Sequence, residues 1–504
     1  RDVGKLLIGY PEGAVIYSFK QNVAQKYFQY EVPVGAPGGD SDPTLSREVR
    51  RPRLTKAIWH PSDTFILTVH EDTSLAFWDP KDGRLVMART IDRVNVNQPG
   101  QRPESPGSAP GTFAVRDPIF QVAWCAKENP DDTGLLIAGG RPSNDPDKSL
   151  TFLDLGPTPN YQTSSWQILA KYFESPRRRM NLTVPPGAEA VDFCLVPRSS
   201  PHFAGAQDPI AVVALLSSGE LITLSFPSGH PISPTNMLHP SLSFVHPFVT
   251  KMVMAPVSRS NWLGLKERRA QGPKFVQGGV QAKKPMKRFE DRNVIVTAHA
   301  DGVIRLWDAG QNDEIENVDV VQADLARAVA RTGAIEVTEM SFSGASGELS
   351  VGLRTGELVI FRWGRNQFAG QEQPPGRNEG PGKLTNILHR ADPYLKDGLL
   401  PATMLEMQNG PVSAVKNSDV GFVAVGFEEG SLAIIDLRGP QIIYNADVHE
   451  FIKAASKRSS FRMSRSQDDG ARVSEWPTSI EFGVLTLEGD GMYPTGEKMP
   501  WCTC

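Results

Sequence analysis

One short pattern returns along this chain. An apolar, β-branched run leads into a few turn residues rich in Gly, Asp, Glu or Ser, and an alternating run follows. It stands at 5–19 (KLLIGYPEGAVIYSF), 66–79 (ILTVHEDTSLAFWD), 136–155 (LIAGGRPSNDPDKSLTFLDL), 212–226 (VVALLSSGELITLSF), 294–308 (VIVTAHADGVIRLWD), 349–363 (LSVGLRTGELVIFRW) and 422–437 (FVAVGFEEGSLAIIDL). In the fifth copy Val303, Arg305 and Trp307 fall on one side of a strand, and Ile304 and Leu306 on the other. Each copy is a predicted β-hairpin whose glycines supply the positive φ of a tight turn. A phosphate-binding loop would need a helix after the glycines and a Lys followed by Ser or Thr. Strand formers follow Gly13, Gly302, Gly356 and Gly430 instead, so the hairpin reading stands. In the first copy Gly9 and Gly13 shape the backbone, and Tyr10 is the residue best placed to contact a partner.

Upstream of six copies lies a further short strand: 56–61, 120–125, 190–197, 248–256, 337–343 and 411–417. The unit is therefore strand, turn, hairpin and an irregular fourth strand. Such a unit cannot bury both faces alone, so units stack as propeller blades. Two units match more finely. Thr68, Asp72 and Trp78 share their offsets with Thr297, Asp301 and Trp307, and each Trp is followed by Asp (Asp79, Asp308). The pattern resembles the WD-repeat family, without its opening Gly-His. That resemblance makes these six residues braces of the blades rather than catalytic groups. The predicted class is all-β, with WD40-like β-propeller blades.

The turn residues lie 60, 76, 70, 83, 54 and 74 positions apart, against about 40–45 for a plain blade. The excess reads as loops at 93–111, 264–292 and 364–383, with one helix predicted over 319–333. On that helix Val321, Leu325 and Val329 share a face, and Gly333 ends it.

Charge and composition exclude several functions. The formal net charge is −4 with 22% charged residues, which gives no global drive toward nucleic acid or anionic lipid. No run reaches the roughly 18–20 apolar residues that span a bilayer. Cys125 and Cys194 sit in strand-like runs and read as core thiols of a reducing compartment. The terminal pair Cys502 and Cys504 lacks zinc-site spacing. His60, Asp63, His70 and Asp72 invite a metal reading, but turn chemistry accounts for them. No H-E-x-x-H or G-x-S-x-G motif occurs, and no catalytic residue, metal ligand, cofactor or small-molecule substrate is expected.

The chain starts without Met, its first hairpin lacks an opening strand, and 477–490 reads as an eighth unit without a hairpin. It is expected to be an excerpt of a longer array. The stretches KLLIGYPEGAVIYSF, VAVGFEEGSLAIIDLRGPQIIY and KRSSFRMSRS (457–466) resemble the Lethal giant larvae family, which includes tomosyn and fungal exocytic regulators. This chain looks like a fungal member. The resemblance implies parts of two consecutive seven-bladed propellers: later blades of the first over 1–230, first blades of the second over 231–490, and an unassigned tail at 491–504. It also implies a non-enzymatic scaffold in polarised exocytosis. The implied partners are plasma-membrane SNARE proteins, a Rab-type GTPase and myosin, and the implied place is the cytoplasm, peripheral at the plasma membrane. A generic WD-repeat platform of another multiprotein complex is the alternative.

Two basic stretches stand out. In 453–472, Lys457, Arg458, Arg462 and Arg465 surround Ser459, Ser460, Ser464 and Ser466, a composition that suits a basophilic kinase or, unmodified, an acidic surface. A solvated inter-strand loop is the plain alternative. In animal members of the family a similar loop is phosphorylated by atypical protein kinase C, which releases the protein from the cortex. The loop at 264–292 holds nine Lys or Arg against three acidic residues. It lacks the interleaved aromatics that stack on bases, so it reads as a flexible surface loop, with acidic-partner or membrane contact second and nucleic acid a distant third.

Overall fold

The computed structural model describes residues 4–39, 48–100, 115–198, 203–231, 248–270, 291–309, 319–448, 476–484 and 500–503. They form two compact units, 1–233 and 234–504. The chain is all-β, built of WD40-like blades, and each repeated hairpin forms the heart of its own antiparallel sheet.

The first unit holds four blades. The first pairs Lys5–Tyr10, Gly13–Ser18 and Val23–Phe28. The second is Leu54–Trp59, Ile66–His70, Leu75–Trp78 and Leu85–Arg89, in that order. The third runs Ile119–Ala126, Asp132–Gly139, Leu150–Pro157 and Arg178–Leu182. The fourth has Ala190–Pro197, Pro209–Leu216 and Leu221–Ser225. Its core lies between blades. Phe65, Leu67, Phe77, Trp124, Ile137 and Phe173 pack together, and the rings of Phe77 and Phe173 stack with centroids 4.0 Å apart. Helix α1, Trp166–Glu174, is an insertion before the outermost strand of the third blade; it buries Leu169, Tyr172 and Phe173.

In the second unit the fifth blade is Val249–Ser258, Asp291–His299, Val303–Asp308 and Val321–Asp324. The sixth uses Val337–Ser343, Glu348–Leu353, Glu357–Arg365 and the long Leu395–Glu406, and Leu384–Asn386 also pairs with that last strand. The seventh is Val412–Asn417, Phe422–Phe427, Ser431–Asp436 and Gln441–Asp447. Within this unit Lys251 and Glu339 form an ion pair between the opening strands of the fifth and sixth blades at 2.8 Å.

Turn chemistry explains the hairpins. Gly302, Gly356 and Gly430 have φ of +76°, +89° and +89°, where a side chain is disfavoured. In the second blade Thr73 holds the equivalent place at φ +66°.

Three sequence expectations need correction. The helix over 319–333 is half strand: Val321–Asp324 pairs with Val303–Leu306, and helix α3 covers only Leu325–Val329. β-branched Val321 gains more from a ladder partner than from helix, and Asp324 then caps the helix by accepting from Arg327 N at 2.9 Å. The 264–292 loop is anchored at its start. Helix α2, Arg259–Gly264, leads to Arg268–Arg269, which add to the edge of Leu395–Glu406. Of the unassigned tail, Pro500–Thr503 pairs with Glu481–Val484. The Ser/basic segment 453–472, with Lys457, Arg458, Arg462, Arg465 and its four serines, lies outside the described residues.

Candidate functional site

Thr68 is fully buried and sits under three polar neighbours. Trp78 Nε1 donates to its Oγ1 at 2.7 Å, His70 Nε2 lies 3.0 Å from the same oxygen, and that hydroxyl reaches Ala76 O at 3.4 Å. His70 Nδ1 is 3.0 Å from Pro52 O, which ties the hairpin to the segment entering the blade. The fifth blade repeats this. Trp307 donates to Thr297 at 2.8 Å, His299 is 2.8 Å from Thr297, and Thr297 reaches Arg305 O at 3.4 Å. Buried polar groups of this kind are stable only when satisfied. His70 is therefore not a turn residue. It is a strand residue and a member of the bracing set, and the repeated Thr-x-His spacing in both blades was the signal for it.

The aspartates that follow the tryptophans are buried too, and each receives an aromatic donor from an insertion. Tyr161 OH donates to Asp79, and Trp262 Nε1 of helix α2 donates to Asp308 Oδ2 at 3.0 Å. Arg292, without solvent exposure, stands 3.8 Å from Asp308.

The turn aspartates diverge. Asp72 is 5% exposed and accepts from Ser74 N at 3.0 Å, Ser74 Oγ at 2.9 Å and Gly39 N at 3.0 Å. Asp301 accepts from Val303 N and pairs with Arg305 Nη2, each at 3.0 Å.

A second buried network serves the third blade. Trp124 Nε1 donates to Thr133 Oγ1 at 3.1 Å, and Thr133 lies 3.1 Å from Tyr172 OH. Tyr172 lies 3.3 Å from Thr158, which is 3.1 Å from His60 Nε2. Burial pushes His60 and His70 down to about 4, against Asp131 and the Pro52 carbonyl, respectively, which act the other way. Both imidazoles are neutral at neutral pH. Asp63, at φ +59°, turns the chain beside His60. Among the described residues no group of three His, Cys, Asp or Glu is placed to hold a metal ion. Burial raises the thiol of Cys125, which lies in the core, and that of the partly exposed Cys194, where Asp192 acts in the same direction. Among the described residues no helix is long and apolar enough to cross a membrane. Tyr10 is 51% exposed at the first hairpin.

The chemistry of this arrangement is bracing: closed hydrogen-bond sets hold the blades, and loops and insertions are displayed from them. A family model described as Lethal giant larvae(Lgl) like, C-terminal, matches residues 334–494. Lethal(2) giant larvae protein homolog SRO77 of Saccharomyces cerevisiae is 34% identical over 484 residues, 93% of this chain and 47% of that protein. This chain belongs to the Lethal giant larvae family. A Schizosaccharomyces pombe relative, uncharacterized protein C1F3.03, is 24% identical over 97% of this chain and 46% of its own length. The Lethal giant larvae chain described here thus spans about half the length of the curated relatives it matches. Among solved structures it is similar to Saccharomyces cerevisiae Sqt1, with a TM-score of 0.44, 8% identity and coverage of 88% and 82%. It is also similar to the Dos1 propeller, with a TM-score of 0.44, 10% identity and coverage of 88% and 80%. The blade fold stands on the strand pairing itself.

Proposed function

We propose that this Lethal giant larvae chain is part of a non-enzymatic scaffold that regulates polarised exocytosis, binding plasma-membrane SNARE proteins and a Rab-type GTPase, with myosin as a further partner. Residues 1–230 supply later blades of a first propeller and 231–490 the first blades of a second. The protein works in the cytoplasm and peripherally at the plasma membrane. The observation that carries this reading is the 34% identity to a yeast Lethal giant larvae homolog across 93% of the chain. Blades braced by internally satisfied polar sets suit a platform, since rigid supports present binding loops without reorganising. Ser459, Ser460, Ser464 and Ser466 are proposed phosphorylation sites, and Lys457, Arg458, Arg462 and Arg465 the acidic-surface contacts that phosphate would cancel.

Affinity capture of the full-length protein tests the reading. Enrichment of plasma-membrane SNAREs and an exocytic GTPase is expected. A different stable complex without either would replace it with the generic WD-repeat platform.

A further inference from the structure

The outer rim of the third blade carries cations that enter no ion pair among the described residues. Helix α1 buries Leu169, Tyr172 and Phe173, which leaves Ile168, Lys171 and the following Ser175 on its solvent side. The chain continues through exposed Arg177 and Arg178 into the outermost strand, Arg178–Leu182. At the other end of the helix, two cations from the turn of the second blade lie over aromatic rings. Lys81 Nζ is 3.7 Å from the centroid of Tyr161, and Arg84 is 4.2 Å from that of Trp166. These contacts orient Lys81 and Arg84 without neutralising them.

The neighbouring Arg179 shows the contrast. It is paired with Asp92, which also holds Arg116. Among the described residues no ion pair is formed by Lys81, Arg84, Lys171, Arg177 or Arg178. The acidic residues alongside are Asp82, which accepts from Arg84 N, half-buried Glu174, the buried Asp79 held by Tyr161 and Lys81 N, and the buried Asp154, which stands opposite Arg178 in the ladder and has its own ion pair with Lys127. Five unneutralised cations therefore run along a helix of nine residues, about 13 Å long, and on into a strand whose outer edge is unpaired among the described residues. Charges on an edge strand repel most other strands. An acidic one is attracted.

We propose that this row is a docking surface for an extended, acidic polypeptide segment, which lies along α1 and the outer edge of Arg178–Leu182 with its carboxylates on Lys171, Arg177 and Arg178. Arg84 covers Trp166, so the surface suits a strand better than a bilayer, which takes up broad faces with exposed aromatics. The inference does not rest on the exocytic reading, because it names the chemistry of the segment and not the complex it belongs to.

The test uses the full chain and a fluorescein-labelled peptide of alternating Glu and Gly, with a Gln/Gly peptide as control, read by fluorescence anisotropy. Saturable binding of the acidic peptide that weakens with salt is expected. Lys171→Glu/Arg177→Glu/Arg178→Glu should weaken it about tenfold or more. Ser175→Asp, which places a carboxylate within the row, should weaken it about threefold, whereas Ser175→Asn should leave it unchanged. Absence of binding, or binding that neither the triple variant nor Ser175→Asp alters, overturns the proposal. So does flotation with phosphatidylserine vesicles, lost in the triple variant, without peptide binding, which would assign the row to a membrane.

Discussion

In the second blade the bracing side chains are Thr68, His70 and Trp78, and in the fifth they are Thr297, His299 and Trp307. Their hydrogen bonds agree to within 0.2 Å. The turn carboxylates above them do not agree at all. Asp72 lies under a returning loop and binds Gly39 N. A Cβ on Gly39 would stand 1.6 Å from the Asp72 carbonyl oxygen, so that loop docks only as glycine. Asp301 is reached instead by Arg305, which occupies the register position of Ala76, opposite the threonine. The polar set inside a blade is closed on itself and is thus insensitive to what lies outside. The carboxylate at the rim takes its role from whichever segment arrives there.

The strongest test of that equivalence removes the tryptophans. Trp78→Ala and Trp307→Ala should each cost about 3–5 kcal/mol, from the cavity and the orphaned threonine. Hydrogen exchange resolved on each blade's own strands is the readout, because a chain of two units has no single unfolding free energy. A gap of more than about 2 kcal/mol between the two would break the equivalence.

Acid comes next. His60 and His70 titrate near 4 when folded, against 6.5 when free. The unfolded chain therefore binds their protons first as pH falls. Their contribution is complete above about pH 6.5 and is lost as pH drops toward 4, by about 3 kcal/mol for each. His70→Gln should lower stability at pH 7 yet flatten its dependence between pH 6.5 and 4. An unchanged slope, followed by hydrogen exchange in the second blade's strands across that range, would show that His70 is not buried neutral.

The divergent carboxylates give a smaller effect. Asp72→Ala leaves Gly39 N and Ser74 N without their acceptor and should cost about 2 kcal/mol. Asp301→Ala strands a nearly buried Arg305, and Asp301→Ala/Arg305→Ala, which restores the alanine of the second blade, should recover most of that loss. If the double variant is no better than the single one, Arg305 has a further role in its blade.

How much of this was legible follows from the range of each interaction. The hairpins were legible because period-two alternation and turn glycines are local. Thr68, Asp72 and Trp78 were found through their equal offsets to Thr297, Asp301 and Trp307, a comparison within one chain. His70 shares its offset with His299 but was read as turn chemistry, since neighbouring His and Asp residues mimic a turn. Gly39 on Asp72, Tyr161 on Asp79 and Trp262 on Asp308 had no local signal. Each is made by a segment that returns from 33 to 82 positions away. The basic row on α1 was hidden for the opposite reason: Arg177 and Arg178 are adjacent in sequence, but Lys81 and Arg84 join them only through the rings of Tyr161 and Trp166.

Those aromatic donors set the smallest and sharpest test. Tyr161→Phe and Trp262→Phe each delete one donor to a buried aspartate, and the second also trims a fully buried indole to a phenyl ring. Asp79 retains Lys81 N at 2.8 Å after the loss, so Tyr161→Phe should cost about 1 kcal/mol, seen as a modest loss of exchange protection in Trp166–Glu174. Asp308 faces the buried Arg292 at a longer 3.8 Å. If that guanidinium closes on the vacated oxygen, Trp262→Phe will exceed Tyr161→Phe only by the cost of the smaller ring, about 1 kcal/mol. An excess of about 2 kcal/mol or more would mean that the indole holds the aspartate in place for Arg292. The two insertions would then differ in kind: one a strap laid over a finished blade, the other a part of the blade's own closure.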